Sequence, residues 1–162
     1  MSDHDLQHTG DIVVGVDGSP QSREAFRYAA DLARSLHTKL VAVGTWQTPQ
    51  AGYGAAVLTD WSPEEDVRAV LHDACADVFP DGQPSWFRTK VVNGPPARSL
   101  IEASEDAVML VVGSRGHGGF AGLLLGSVSS ACAEYATCPV LVHHDGPRGR
   151  ARGARTADVH RA

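Results

Sequence analysis

The sequence predicts an α/β domain in which parallel strands form one sheet and helices cover both of its faces. Short runs rich in valine alternate with longer segments of helical apolar spacing, in the order β-α-β-α-β-α-β-α-β. This alternation is typical of a parallel sheet with helical crossovers. The chain of 162 residues is long enough for one domain with its own core.

The first strand and the first helix follow each other directly. The β-branched run within Asp11–Ser19 predicts a buried strand that ends at Asp17. Ser19 is a good N-cap, and Pro20 suits the first helical position. A second strand is predicted over Lys39–Trp46. The predicted apolar face of the first helix consists of Phe26, Ala29, Ala30, Ala33 and Leu36.

A loop and a second helix follow. Gln47–Asp60 has no clear apolar period and is predicted to be a loop or a partly ordered segment. A helix over 62–79 begins with Ser62 as N-cap, Pro63 at the first position and Glu65 completing a capping box. Its predicted apolar stripe consists of Val67, Val70, Leu71, Ala74, Cys75 and Val78.

The remaining elements complete the alternation. Strands are predicted over 85–94 and 107–113, with a short helix over 95–106 between them. The run 107–113 is almost continuously apolar, as in a strand covered on both faces. A last helix over 127–136 precedes an edge strand over 138–144. The face of the last helix is predicted from Val128, Ala131, Cys132 and Tyr135.

Composition narrows the class of protein. The net charge is −5, and the last 18 residues carry five arginines against two aspartates, so the rest of the chain is acidic and nucleic acid is not the expected partner. No apolar run has the length of a membrane span, and residues 1–10 do not resemble a signal peptide. The three cysteines lack metal-site spacing. We therefore expect a cytoplasmic protein with reduced thiols, a flexible segment 1–10, a domain over 11–144 and a tail over 145–162. The tail is expected to be disordered, with a weak anion-binding arm as the alternative.

The segment 111–131 carries the main functional signal. Five glycines lie between Gly113 and Gly122, and a helix start follows at Gly126-Ser127. Glycine allows backbone N–H groups to approach an anion, and the positive end of the helix dipole favours one. Residues 107–133 contain no Asp or Glu, but they include Arg115. Together with the hydroxyls of Ser127 and Ser129, these features predict a phosphate-binding cradle.

The spacing of this segment matches one known signature. Gly113-x-x-Gly116, nine residues and then Gly126-Ser127 resemble the ATP-binding signature of the universal stress protein family. "VVGVDGS", "VAVGTW" and "CPVLV" resemble that family's first, second and closing strands. The resemblance extends over Asp11–His143. It implies a doubly wound, Rossmann-like domain with a five-stranded parallel sheet. It also implies that the protein forms homodimers.

The resemblance also implies a nucleotide site. Asp17 would contact the ribose or a bound Mg²⁺, although it could instead cap the turn before the first helix. Arg115 is equally consistent with a phosphate partner and a solvated charge. His117 is expected to be an exposed loop residue with no acid near enough to orient it. The complete set implied for binding ATP is Gly15, Asp17, Thr45, Gly113, Arg115, Gly116, Gly126, Ser127 and Val128.

Three functions are consistent with these residues. The leading hypothesis is an ATP-binding regulatory module with an unknown protein partner and, at most, slow hydrolysis. A homodimer is expected through the last strand, Pro139–His143, because exposed apolar edges pair readily. The alternative is an enzyme of the same α/β class, either an ATPase or a nucleotidyl transferase. A domain that acts only through its dimer surface is the third, and the intact glycine signature disfavours it.

Overall fold

The computed structural model describes residues 10–48, 61–117 and 124–144. The predicted segment 1–10, apart from Gly10, lies outside these residues. So do the tail 145–162, most of the predicted loop 47–60, and the glycines at positions 118, 119 and 122. The strands are β1 (Ile12–Gly15), β2 (Leu40–Trp46), β3 (Phe87–Asn93), β4 (Met109–Gly113) and β5 (Val140–His143). The helices are α1 (Pro20–Ser35), α2 (Pro63–Val78), α3 (Pro96–Ala103) and α4 (Ser127–Tyr135).

The five strands form one parallel sheet in the order β3-β2-β1-β4-β5. The predicted Rossmann-like fold is confirmed. The chain winds outward from β1 to β3 and then returns to the other side of β1 at β4. This reversal makes β1 and β4 neighbours, with Val13 paired to Leu110. A crevice beyond the carboxyl ends of such neighbours is the usual ligand site in open α/β sheets.

Alternate side chains of β1 pack into two apolar layers. Ile12 and Val14 join the cluster under α1 and α2, whereas Val13 joins the cluster under α3 and α4. The first cluster contains Phe26 of α1, whose ring is fully buried and lies 5.8 Å from the ring of Phe79 and 5.4 Å from that of Phe87. These aromatic contacts fasten α1 to the end of α2 and to β3.

Both predicted serine caps are present. The Ser19 hydroxyl accepts the N–H of Ser22 at 3.2 Å, and the Ser62 hydroxyl accepts the N–H of Glu65 at 3.3 Å. The prediction that Leu36 and Tyr135 belong to the packed faces of their helices is wrong, since Leu36 is 52% exposed and Tyr135 is 64% exposed. Leu36 is already the C-cap of α1, and Tyr135 is the last residue of α4. At a helix end the apolar stripe is no longer facing the sheet, so periodicity alone places too many residues in the core.

The three cysteines are free thiols, as expected. Cys75 and Cys132 are buried, and desolvation raises the pKa of each thiol to about 11. Both are therefore protonated and unreactive at neutral pH. None of the helices in the described parts of the chain is long and apolar enough to cross a membrane.

Candidate functional site

A cavity of about 600 Å³ opens at the carboxyl ends of β1, β2 and β4, beside the start of α4. This volume is within the range of small-molecule sites. The structure places all nine residues predicted for the nucleotide site on its wall; their role in binding stays a prediction. These are Gly15, Asp17, Thr45, Gly113, Arg115, Gly116, Gly126, Ser127 and Val128. The wall also contains Val16, Ser22, Val43, Pro96, Leu100, Val112, His117, Leu125 and Ser129.

Asp17 lies at the edge of this cavity, two residues beyond β1. Its Oδ1 accepts the N–H of Ser19 at 2.9 Å, which forms a turn before α1. Desolvation raises the pKa of Asp17, but hydrogen bonds from Ser19 and Ser22 and the charge of His117 together bring it below its ordinary value. The carboxylate is therefore ionised at neutral pH. Asp17 caps the turn and also lines the cavity, so both predicted roles are geometrically compatible.

The loop after β4 folds against Asp17. A β-carbon on Gly116 would lie 2.7 Å from Oδ2 of Asp17, so a larger residue there would displace this carboxylate. His117 follows, and its Nε2 lies 2.9 Å from the carbonyl oxygen of Asp17. Because a carbonyl oxygen only accepts, Nε2 carries the ring proton in this contact. His117 is exposed, as expected, but the expectation that no acid lies near it is wrong.

The start of α4 faces the cavity. The first intrahelical bond runs from the N–H of Ser130 to the carbonyl of Gly126 at 3.0 Å. The N–H groups of Ser127, Val128 and Ser129 therefore have no partner within the helix. They lie at the N-terminal end of α4, where the helix dipole is positive. The exposed Ser127 and Arg115 line the same cavity wall. This arrangement is suited to binding an anion.

The other half of the cavity is apolar. Val43 is fully buried on β2, and Leu100 of α3 and Val112 of β4 are nearly so. Thr45, next to the end of β2, is half-buried beside them. A cavity with an apolar half and an anion-binding half is suited to a ligand with a flat organic ring and a phosphate group.

Comparison with known proteins identifies the family. The protein-family model described as "Universal stress protein family" matches residues 9–144 of the sequence. This chain belongs to the universal stress protein family. Universal stress proteins of Mycolicibacterium smegmatis and Mycobacterium tuberculosis are 38% identical to it over 135 and 133 residues, which make up 81% of this chain and 44% of each relative. The chain therefore spans about half the length of the curated relatives that it matches.

Solved structures support the same assignment. A universal stress protein in complex with cAMP is 28% identical, with a TM-score of 0.63, and the match covers 83% of this chain and 96% of that one. A universal stress protein from Lactobacillus plantarum, 21% identical with a TM-score of 0.64, matches 82% of this chain and 96% of its own. The second similarity is evidence for the fold alone.

Two glycines of the predicted site lie where a side chain would be crowded. A β-carbon on Gly113 would lie 3.0 Å from the carbonyl carbon of Gln21 in α1, and one on Gly15 would lie 2.8 Å from Cδ1 of Leu100. Gly126 differs, because a β-carbon there would meet nothing nearer than 3.5 Å. However, the N–H of Gly126 already donates to the carbonyl of Ser114 at 2.8 Å. Gly126 can therefore offer an open surface to a ligand rather than a donor.

Three polar residues of the cavity wall have contacts that the sequence did not predict. Ser22 and His117 line the cavity through contacts with Asp17 that no periodicity reveals. Ser129 was expected to donate its hydroxyl to a ligand, but this hydroxyl is buried and bonds to the backbone carbonyls of Ser114 and Gly126. The free N–H of Ser129 still lies at the helix start. A serine on the first turn of a helix commonly bonds to the backbone, so its position in the sequence already indicated that the Ser129 hydroxyl is bonded within the protein.

Proposed function

We propose that this universal stress protein binds ATP and acts as a regulatory module whose bound nucleotide determines its interaction with a partner protein. The observation that carries this proposal is the shared cavity of Asp17, the glycine loop and the start of α4. An apolar half and an anion-binding half lie in one space of about 600 Å³. The neighbour at 28% identity was solved in complex with cAMP, which supports an adenine nucleotide as the class of ligand.

The apolar half would hold the adenosine. Val43, Leu100 and Val112 offer apolar surface to a purine ring, and the main chain near Gly15 and Thr45 offers hydrogen-bonding groups at the ring edge. Asp17 is ionised, lines the cavity and lies against Gly116 of the glycine loop. A carboxylate in that position accepts hydrogen bonds from ribose hydroxyls.

The anion-binding half would hold the phosphates. Donors come from the N–H groups of Ser127 and Val128, the Ser127 hydroxyl and the Arg115 guanidinium. Asp17 is also the residue that would hold Mg²⁺. In the described residues no three His, Cys, Asp or Glu side chains are grouped to hold a metal ion. One carboxylate completed by phosphate oxygens and water fits the usual coordination of Mg²⁺, which would neutralise phosphate charge when bound.

The nucleotide that accompanies the purified protein is the first test. Protein denatured without added nucleotide should release ATP or ADP at about one per chain, identified by mass spectrometry. Calorimetry with ATP, ADP, AMP and cAMP, each with and without Mg²⁺, then ranks the ligands. Ser127→Ala should weaken ATP binding, whereas Ser130→Ala, the exposed neighbour outside the cavity, should not. A preparation that releases no nucleotide and binds none would refute the proposal.

We place this module in the cytoplasm and expect regulation rather than fast turnover. The unreactive buried thiols are compatible with a reducing compartment. Steady release of phosphate from Mg·ATP would indicate the alternative ATPase, and release of pyrophosphate in the presence of an acceptor would indicate the alternative nucleotidyl transferase. A rate in the ordinary enzyme range of roughly 1–1000 per second would favour the enzyme. A rate far below that range would favour the module.

We further propose a homodimer that pairs the Pro139–His143 edge with its copy. The two edges of the sheet differ in charge. Arg88 and Lys90 are exposed on β3, and such charges discourage pairing, whereas β5 carries no Asp, Glu, Lys or Arg. The exposed rings of Tyr28 and Tyr135 lie on the helices beside β5, α1 and α4. A partner strand would extend the sheet at this edge.

Light scattering tests the dimer. Val140→Lys/Val142→Lys should halve the mass by placing charges at the pairing edge. The matched control, Thr89→Lys/Asn93→Lys, adds the same charge at exposed positions of β3 and should leave the mass unchanged. Circular dichroism confirms that each variant is folded, since both valines are half-buried. An unchanged mass in the folded valine variant would count against pairing through β5.

A further inference from the structure

Ser129 is a buried serine on the first turn of α4, and only 2% of it is exposed. Its hydroxyl lies 3.1 Å from the carbonyl oxygen of Ser114 and 3.0 Å from that of Gly126. The Ser114 carbonyl also accepts the N–H of Gly126 at 2.8 Å. We call these three contacts the Ser114–Ser129 clip. Two of them join Ser114, the residue after β4, to the start of α4, and the third lies within the first turn of α4.

The sheet holds one side of the clip in place. Ser114 directly follows β4, and its N–H donates to the carbonyl of His143 on β5 at 2.9 Å. Ser114 is itself buried, with 7% exposed. The clip therefore fixes the start of α4 relative to two strands of the sheet. Among the hydrogen bonds of the described residues, only the one from Gly126 would join the first turn of α4 to Ser114 if Ser129 lost its hydroxyl.

We propose that Ser129 is a positioning residue for the phosphate end of the cavity, a role that rests on the proposed nucleotide binding. It acts through Ser114 and Gly126, and its buried hydroxyl is already bonded to the backbone. By holding the first turn of α4, it aims the N–H groups of Ser127 and Val128 at the place where phosphates would bind. Donors fixed before the ligand arrives bind charge more strongly than donors that must first be ordered.

The division of the cavity makes this role separable from a general effect on stability. The adenosine half is lined by Gly15, Thr45, Leu100 and Val112, which lie on β1, β2, α3 and β4. None of these four residues takes part in the clip. Loss of the clip should therefore weaken ligands in proportion to their contacts with α4. ATP should be strongly affected, and adenosine, which has no phosphate, should not.

Four proteins test the proposal: the wild type, Ser129→Ala, Ser129→Thr and Ser104→Ala. Ser104 is the matched control, because it is fully buried and its hydroxyl donates to the carbonyl of Ile101 at 3.1 Å at the end of α3, outside the cavity. Calorimetry measures ATP affinity, and chemical-shift titration measures adenosine affinity. Amide hydrogen exchange at Gly126 reports the clip directly.

The expected result is a loss of about tenfold in ATP affinity for Ser129→Ala, the size of effect expected when one charge-assisted hydrogen bond is misplaced. Adenosine affinity should stay within about twofold of the wild type, exchange at Gly126 should accelerate, and Ser129→Thr should restore ATP binding in part. Ser104→Ala should bind both ligands as the wild type does. If Ser129→Ala does not fold, Ser129→Cys takes its place in the experiment, because a thiol is close to a hydroxyl in size but is a weaker hydrogen-bond donor.

Two results would overturn the positioning role. One is wild-type ATP affinity in Ser129→Ala despite faster exchange at Gly126. The other is an equal loss of ATP and adenosine affinity, which indicates a structural effect only. A wild-type protein that binds neither ligand is a different failure, because it refutes nucleotide binding itself and the positioning role with it.

Discussion

The Gly113→Ala substitution would insert a methyl group between β4 and α1. The new β-carbon would lie 3.0, 3.1 and 3.2 Å from the carbonyl carbon, the carbonyl oxygen and Cβ of Gln21. The first two atoms belong to the backbone of α1, so the helix must shift to restore ordinary contact. Such overpacking costs about 1–3 kcal/mol, and the lower flexibility of alanine in the unfolded chain offsets about 0.4–1 kcal/mol. From the midpoints of these two ranges, we expect a net loss of about 1.3 kcal/mol in the free energy of unfolding.

Urea denaturation measures this loss as a lower midpoint with an unchanged slope. Gly126→Ala is the matched control, because its nearest neighbour, Cα of Arg115, would lie at 3.5 Å and its φ of −72° suits any residue. It should lose less than about 1 kcal/mol as an N-cap change, yet it should weaken ATP binding because the methyl group would lie beside Arg115 and the N–H of Gly116. A wild-type midpoint for Gly113→Ala, or an equal loss in both variants, would refute the packing argument.

Three further predictions concern cysteine and histidine side chains. Because the pKa of Cys75 and Cys132 is about 11, iodoacetamide at pH 8 should alkylate the half-buried Cys138 first; early labelling of either buried thiol in peptide maps would contradict the core. Because folding raises the pKa of both thiols from 9.0 to about 11, the folded state holds their protons more tightly than the unfolded state does. The resulting contribution to the free energy of unfolding is complete below pH 9.0 and should be lost as the pH rises through about 11. His117→Ala should weaken ATP binding a few-fold by removing the ring contact with the Asp17 carbonyl, with little change in urea midpoint. His117→Gln, which keeps an N–H donor, should recover part of that affinity. An equal loss of affinity in both variants would show that the hydrogen bond to the Asp17 carbonyl does not support ATP binding.

The order of elements and the position of the cavity could be predicted because both depend on patterns along the chain. Alternating strands and helices imply a parallel sheet, and the chain reversal that makes β1 and β4 neighbours brings Asp17 to the glycine loop. The exposure of Leu36 and Tyr135 could not be predicted in the same way. Whether the last residue of an apolar stripe is covered depends on where the helix ends against the sheet.

The individual roles of the site residues could not be separated from sequence, because packing and ligand binding select the same residue types at the same positions. Gly113 is small where α1 must approach β4, and a phosphate-binding loop also requires small residues there. Ser129 holds the Ser114 carbonyl, although a serine at a helix start is equally typical of an anion site. Asp17 caps a turn with Oδ1 and faces Gly116 with Oδ2. Only the neighbour of each atom distinguishes the roles, and those neighbours come from distant parts of the chain. Substitutions that change one neighbour at a time, such as Gly126→Ala beside Gly113→Ala, are therefore what separates the nucleotide site from the frame that holds it.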